Sequence, residues 1–302
     1  MVLDTDMLTI TEGPVFVAPG CEYSEGTGFE GHEYFEAASI RKKGDLYLFI
    51  YSSIVMHELC YAWSRSPLSG FQYGGVLNSN ADIGIDTYKP ADLPAAYGAN
   101  NHGSVVNIGE DWYIFYHRHT NGTWFSRQGC AEKLPVREDG LFGQAELTSC
   151  GLNGGPLKGE GYYPSYIACH LFTDQPVLYV GNSAEPAYSN GSFPKIVKEG
   201  WDGDRNEGYL TNLRDSATAG FRYFNLEGVS RITLTIRGYA YGSMEIRTMF
   251  GGPVIKEIPL HYSNIWADIS ADLTLPEGAD TLYFTYRGAG MASFKGFTLR
   301  KG

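Results

Sequence analysis

SIRKKGDLYLFIYSS, residues 39–53, occurs a second time as SVVNIGEDWYIFYHR, residues 104–118. Laid over each other, Ser104 falls on Ser39, Gly109 on Gly44, Glu110 on Asp45, Trp112 on Tyr47 and Tyr116 on Tyr51. Alternating apolar positions on either side of a Gly-Asp or Gly-Glu pair are a β-hairpin signature. A further strand pattern follows each copy, LCYAWSRS from Leu59 and WFSRQGCAE from Trp124. The offset, 104 minus 39 or 65 residues, holds roughly four strands with inserted loops, the content of one propeller blade. VLDTDMLTI (2–10) reads as the outer strand of a preceding blade and QAELTSCGLNGGPL (144–157) as the start of a following one. Closed propellers need about 4–8 blades, so the sequence reads as starting in the middle of a propeller domain.

The repeat character ends at FTDQPVLYVGNS (172–183). The remainder is a series of alternating strands with no helical period, which predicts an antiparallel β-sandwich. The expected division is a partial five-bladed propeller over 1–174 and a sandwich over 175–302, with Leu234 and Ile236 facing inward. The whole chain reads as all-β. Its 302 residues are 43% hydrophobic and 14% aromatic, with 38 glycines and 22 tyrosines, which suits a turn-rich β protein whose rings can also stack on sugars. A net charge of −11 argues against a phosphate-binding footprint and hence against nucleic acid. No apolar run approaches about 18 residues and the N-terminus has no h-region, which argues against a membrane span or signal peptide. Five cysteines, an odd number without CxxC spacing, read as reduced thiols of a cytoplasmic protein.

In a propeller blade the first strand lies innermost, with its leading end toward the central channel. The repeat puts Glu36 at such an end. The equivalent position in the next copy is Asn101, followed by His102. A carboxylate, an amide and an imidazole are therefore expected at one axis. Tyr34 and Phe35 flank Glu36, and partial desolvation by their rings would raise its pKa toward that of a general acid. The plain alternative is a solvated loop carboxylate. Glu30 and Glu33 read as loop or rim residues. HEYFE (32–36) superficially matches a zinc-binding HExxH but lacks the second histidine and the helix. Glu12, in an EGP between an outer strand and a loop, is the weaker candidate acid. GGPLKGEG (154–161) lacks the strand–helix setting of a phosphate loop.

YFEAASIRKKGDLYLFIYSS, HELCYAWSRSPLSGFQYGG, NNHGSVVNIGEDWYIFYHRHTNGTWFSRQGCAE and LTSCGLNGGPLKGEGYYPSYIAC together resemble family 43 glycoside hydrolases, from about residue 3 to residue 172. That resemblance implies a five-bladed propeller cleaving arabinose- and xylose-containing plant polysaccharides with inversion. It also implies Glu36 as general acid and His102 as the channel histidine that helps hold calcium, commonly through water. Arg127 in FSRQGCAE is implied near the substrate, its guanidinium a fixed donor fork. Phe35 and Asn101 are expected to meet sugar. The family's base and the aspartate that tunes the acid both precede the acid in the chain, and only 35 residues come before Glu36. Asp4 and Asp6 match a later outer segment and receive neither role, so the catalytic base is expected to be missing.

The C-terminal part resembles carbohydrate-binding module family 6, on GYLTNLRDSATAGFRYFNLEGV and LYFTYRGAG. Trp201, Tyr209, Tyr241 and Trp266 are its candidate stacking residues, while SFKGFTL offers no aspartate where the module's last calcium ligand would fall. The expected function is an exo α-L-arabinofuranosidase or a β-xylosidase, impaired in this chain and prone to self-associate through open propeller edges. A sugar-binding protein without catalysis is the alternative.

Overall fold

The computed structural model describes residues 1–96, 98–121, 126–174, 193–198 and 208–302. Short 3-10 turns apart, every described element is a β-strand. The chain forms two compact units from interleaved stretches. Met1–Ser79, Asn100–His117 and Lys133–Ala145 make the first; Asn80–Ala99, Arg118–Glu132 and Glu146–Gly302 make the second.

In the first unit, β1 (Val2–Leu3) and β2 (Ile10–Glu12) form a small antiparallel pair. Next comes a meander in chain order: β3 (Tyr34–Lys43), β4 (Leu46–Ser53), β5 (Glu58–Ser64) and β6 (Gln72–Ser79), each antiparallel to the next. Four antiparallel strands in chain order are the strand content expected of one repeat. β4 and β5 are the inner pair of the sheet and are buried at nearly every position. Their near-continuous apolar runs follow from having both faces covered. Phe29, Phe49, Tyr51, Cys60 and Ala62 form the packed centre, with Tyr34 and Tyr73 against it.

The second copy folds as β7 (Ser104–Ile108) and β8 (Asp111–His119), paired from Ser104↔Phe115 to Ile108↔Asp111. Both hairpin turns begin with a glycine at positive φ, +57° at Gly44 and +65° at Gly109, as two-residue turns with glycine first require. The repeat is visible in space. Ser39 Oγ and Ser104 Oγ, equivalent residues of the two copies, lie 2.9 Å apart.

The second unit contains most of β9 (Arg127–Lys133), then β10 (Leu157–Lys158), β11 (Gly161–Pro164), β12 (His170–Phe172), β13 (Lys195–Lys198), β14 (Gly208–Leu213) and β15 (Thr218–Arg222). After these come β16 (Phe224–Asn225), β17 (Val229–Arg247), β18 (Lys256–Leu260), β19 (Ser263–Asp272) and β20 (Thr281–Lys301). β20 runs antiparallel to β17 and offers its other edge to β15, β14 and β11. β17 pairs in turn with β18 and β19, giving one sheet of nine described strands. Alternation along β17 buries Ile232, Leu234, Ile236, Ala240, Met244 and Ile246, so Leu234 and Ile236 face inward as expected. β11 and β12, which precede residue 175, belong to this sheet. The boundary expected near residue 175 lies outside the described residues, as does Trp201.

Candidate active site

Glu36 is the third residue of β3 and pairs with Ser52 between two shifts of register. Ala37, next to it, has φ +61°, a left-handed conformation uncommon for a residue with a Cβ. A bulge of this kind bends a strand and re-aims the side chain beside it. Here it brings Glu36 Oε1 to 2.7 Å from His102 Nε2 and within 3.4 Å of Asn100 Nδ2. The carboxyl group remains 40% exposed and the imidazole 35%. His117 meets His102 edge-on, ring centroids 5.3 Å apart. The arrangement fixes one carboxyl oxygen while leaving the group open to a ligand.

Asn101 lies away from Glu36. Expected at the substrate, it is fully buried, its Nδ2 donating to the His57 carbonyl at 3.3 Å and to Asn78 Oδ1 at 3.4 Å. The neighbouring Asn100, which sequence reasoning missed, is the amide that reaches Glu36. The Asn-Asn doublet was the available signal, since a slip of one residue exchanges which of the two faces the site. Tyr34 packs against Phe49 and Tyr51, so the expected aromatic cover of Glu36 from that side is replaced by core packing. Phe35 is 47% exposed. Arg127 opens β9, exposed, in the second unit.

The other acids of the stretch have separate local uses. Glu30 accepts from the Thr27 amide at 3.1 Å and Glu33 from Ser24 Oγ at 3.0 Å, while Asp45 sits in the hairpin turn. His32 does not pair within HEYFE but reaches across to Glu58, Nδ1 to Oε2 at 2.8 Å. Ser53 Oγ and Cys60 Sγ donate to the same oxygen, at 2.9 and 3.4 Å. The hydrogen bond to Glu58 raises the His32 pKa above its ordinary value. Burial pushes Glu58 upward, but its bond to His32 and the nearby imidazoles bring it below the ordinary carboxylate range. Burial holds the Cys60 thiol well above its usual pKa. His32, Glu58 and Cys60 offer three donor atoms within 4.8 Å of one another, already engaged among themselves.

Around His102 the donors are one carboxylate, an amide and imidazoles. Calcium takes six to eight oxygen ligands, so this set fits the ion only where water supplies the rest. In the second unit, Trp266 packs edge-on against Tyr209 with ring centroids 5.2 Å apart, and the Arg237 guanidinium lies 4.3 Å from the indole centroid. Tyr241 is 61% exposed.

No family model matches the chain. A xylosidase/arabinosidase from Thermoclostridium stercorarium is 56% identical over 298 residues, which are 99% of this chain and 63% of that relative. The chain thus spans less than two thirds of the relative's own length. Among solved structures, a glycoside hydrolase family 43 arabinoxylan arabinofuranohydrolase from Bacillus subtilis, in complex with cellotetraose, aligns at 17% identity with a TM-score of 0.47. The alignment covers 89% of this chain and 54% of that one. The module CsCBM6-3 from Clostridium stercorarium, in complex with cellobiose, aligns at 10% identity and a TM-score of 0.38, covering 49% of this chain and 99% of the module.

Proposed function

We propose that the chain acts as a member of glycoside hydrolase family 43, on the strength of its 56% identity to a xylosidase/arabinosidase, and that Glu36 is the general acid of an inverting pentosidase. The substrate class is an arabinose- or xylose-containing oligosaccharide or polysaccharide, cleaved as by an exo α-L-arabinofuranosidase or a β-xylosidase. The carrying observation is the carboxyl group of Glu36, held through Oε1 by His102 and Asn100 yet 40% exposed.

A carboxyl group anchored at one oxygen keeps a fixed orientation toward a glycosidic oxygen and can deliver its proton as the bond to the sugar breaks. Inversion also needs a carboxylate about 6.5–9.5 Å away to activate water on the opposite face. No residue assigned here supplies it. Asp6 is occupied in its own turn, accepting from the amides of Leu8 and Thr9 and from Thr9 Oγ1. We therefore propose that activity depends on a base beyond these assignments. Calcium held through water near His102 would add positive potential to the site, and no step is routed through it. The ring of five blades, and a sandwich form of the nine-stranded sheet with sugar stacking at Trp266, are part of the same reading.

Glu36→Gln in the longest active form of the protein tests it. Turnover of xylobiose or arabinobiose, whose leaving groups are poor, should fall by about 10²–10⁴. An aryl pentoside with an acidic phenol leaving group should lose much less. Equal losses on both substrates would remove Glu36 from the acid role.

A further inference from the structure

The second unit contains a cleft that the Glu36 site does not use. It encloses about 550 Å³, within the usual range of small-ligand pockets. Its walls come from the end of β15, the β17–β18 turn and the β19–β20 turn, with Tyr88 beside them.

Arg222 is the unusual member. It is 2% exposed, and its guanidinium carbon lies 3.5 Å from the Tyr88 ring centroid and 4.5 Å from that of Tyr223. Nη2 donates to Glu146 Oε2 at 2.9 Å, and Tyr223 Oη donates to the same oxygen at 2.5 Å. The guanidinium is thus fixed in place, while its Nε and Nη1 make no hydrogen bond among the described residues. A buried donor without an acceptor is unfavourable, and an acceptor arriving at this wall would relieve that.

The rest of the lining decides what that acceptor is. Glu277 and Asp280 are exposed carboxylates on the same rim, and Tyr223, Phe250 and Met249 supply apolar surface. An anion would be repelled by Glu146, Glu277 and Asp280 together. A purely apolar molecule would leave the arginine N–H groups unpaired. A polyhydroxylated ring accepts from the guanidinium, donates to the carboxylates and lays its C–H face on aromatic carbon.

We propose that this cleft is a second sugar-binding site, taking a short neutral pentose oligosaccharide. The pentose class rests on the function proposed above; the donor, acceptor and ring arrangement stands by itself.

The test uses the full chain with [¹³C-methyl]methionine, the Met249 signal being assigned through Met249→Leu. Met249 is 57% exposed at the cleft, so its methyl group reports binding there. Xylotriose or arabinotriose should shift this signal saturably at concentrations up to about 10 mM. Asp280→Ala, a change at an exposed position, should weaken the binding about tenfold. Circular dichroism should show that this variant is folded. No shift with either trisaccharide overturns the proposal. So does a shift produced only by glucuronate or acetate, or one that Asp280→Ala and Glu277→Gln both leave intact. Turnover of Glu36→Gln is scored separately, so failure of one proposal is distinguishable from failure of the other.

Discussion

β3–β4 and β7–β8 are built on one pattern, yet β3 has ten residues and two shifts of register, whereas β7 has five in unbroken register. From Ser39 and Ser104 onward the copies agree, down to the glycine that starts each turn. Ahead of the serines they part. The first copy reads Glu36-Ala37-Ala38 and the second Asn101-His102-Gly103. Ala37 at φ +61° inserts the bulge that displaces Glu36 from the position its equivalent occupies. Glu36 consequently meets His102 and Asn100, while Asn101 turns into the core. The hairpin common to both copies is scaffold; the chemistry sits where the copies diverge.

The largest effect is expected from making the second copy resemble the first. Where β3 carries Ala38, the chain leading into β7 carries Gly103, and a Cβ there would overlap the Phe115 carbonyl oxygen. That oxygen belongs to the backbone of β8 and cannot rotate away. Gly103→Ala should cost about 1–3 kcal/mol and move His102, its immediate neighbour, off Glu36. Denaturant midpoints together with turnover would measure both effects. An unchanged midpoint would mean that β7 can adopt the bulge of β3, and the stated difference between the copies would fail.

The hairpins were legible because their signals are local. Gly44-Asp45 and Gly109-Glu110 mark turns, and the flanking alternation marks strands. Leu234 and Ile236 were legible for the same reason, as a period of two along a strand with one buried face. The bulge was not. Alanine carries no sequence mark of a left-handed backbone, so the register argument led to Asn101 instead of Asn100. Tyr34 was read as a cover for Glu36, because without the bulge the packing of its ring against Phe49 and Tyr51 could not be foreseen. The pairing of β11 with β20 joins Gly161 to Leu299, a contact that no local pattern encodes. Arg222 was passed over because a buried guanidinium depends on partners far apart in the chain, Tyr88 and Glu146.

A smaller effect sharpens the same contrast from the side of the first copy. The left-handed region disfavours residues with a Cβ by about 1 kcal/mol, a strain that glycine lacks. Ala37→Gly should therefore stabilise the protein by up to about 1 kcal/mol, less the entropy that a freer chain loses on folding. Ala37→Val should destabilise it by about 1 kcal/mol or more, since β-branching makes positive φ harder still. Opposite shifts of melting temperature in the two variants are the expected result. Destabilisation by both would mean that the methyl group of Ala37, rather than its backbone, holds the bulge.

The smallest expected effect concerns how each leading end is tied down. Asn101 anchors the second copy through uncharged hydrogen bonds to His57 and Asn78. The chain entering β3 is anchored by His32 and Glu58, a pair that titrates. The His32 pKa lies above its ordinary 6.5, so its contribution is complete below that value and is lost as pH rises through the raised one. The Glu58 pKa lies below its ordinary 4.5, so its contribution is present above that value and is lost as pH falls through the lowered one. The clasp is strongest between the two. Because His32 is partly exposed and solvent screens it, the effect should stay below about 1 kcal/mol. Amide hydrogen exchange over residues 30–36, corrected for intrinsic rates, should quicken as pH is raised from the middle of that window to above the His32 pKa. His32→Gln should abolish this change over residues 30–33, ahead of the Glu36–His102 contact that ties both copies. A pH dependence that survives in the variant would show that the His32–Glu58 pair does not anchor this end.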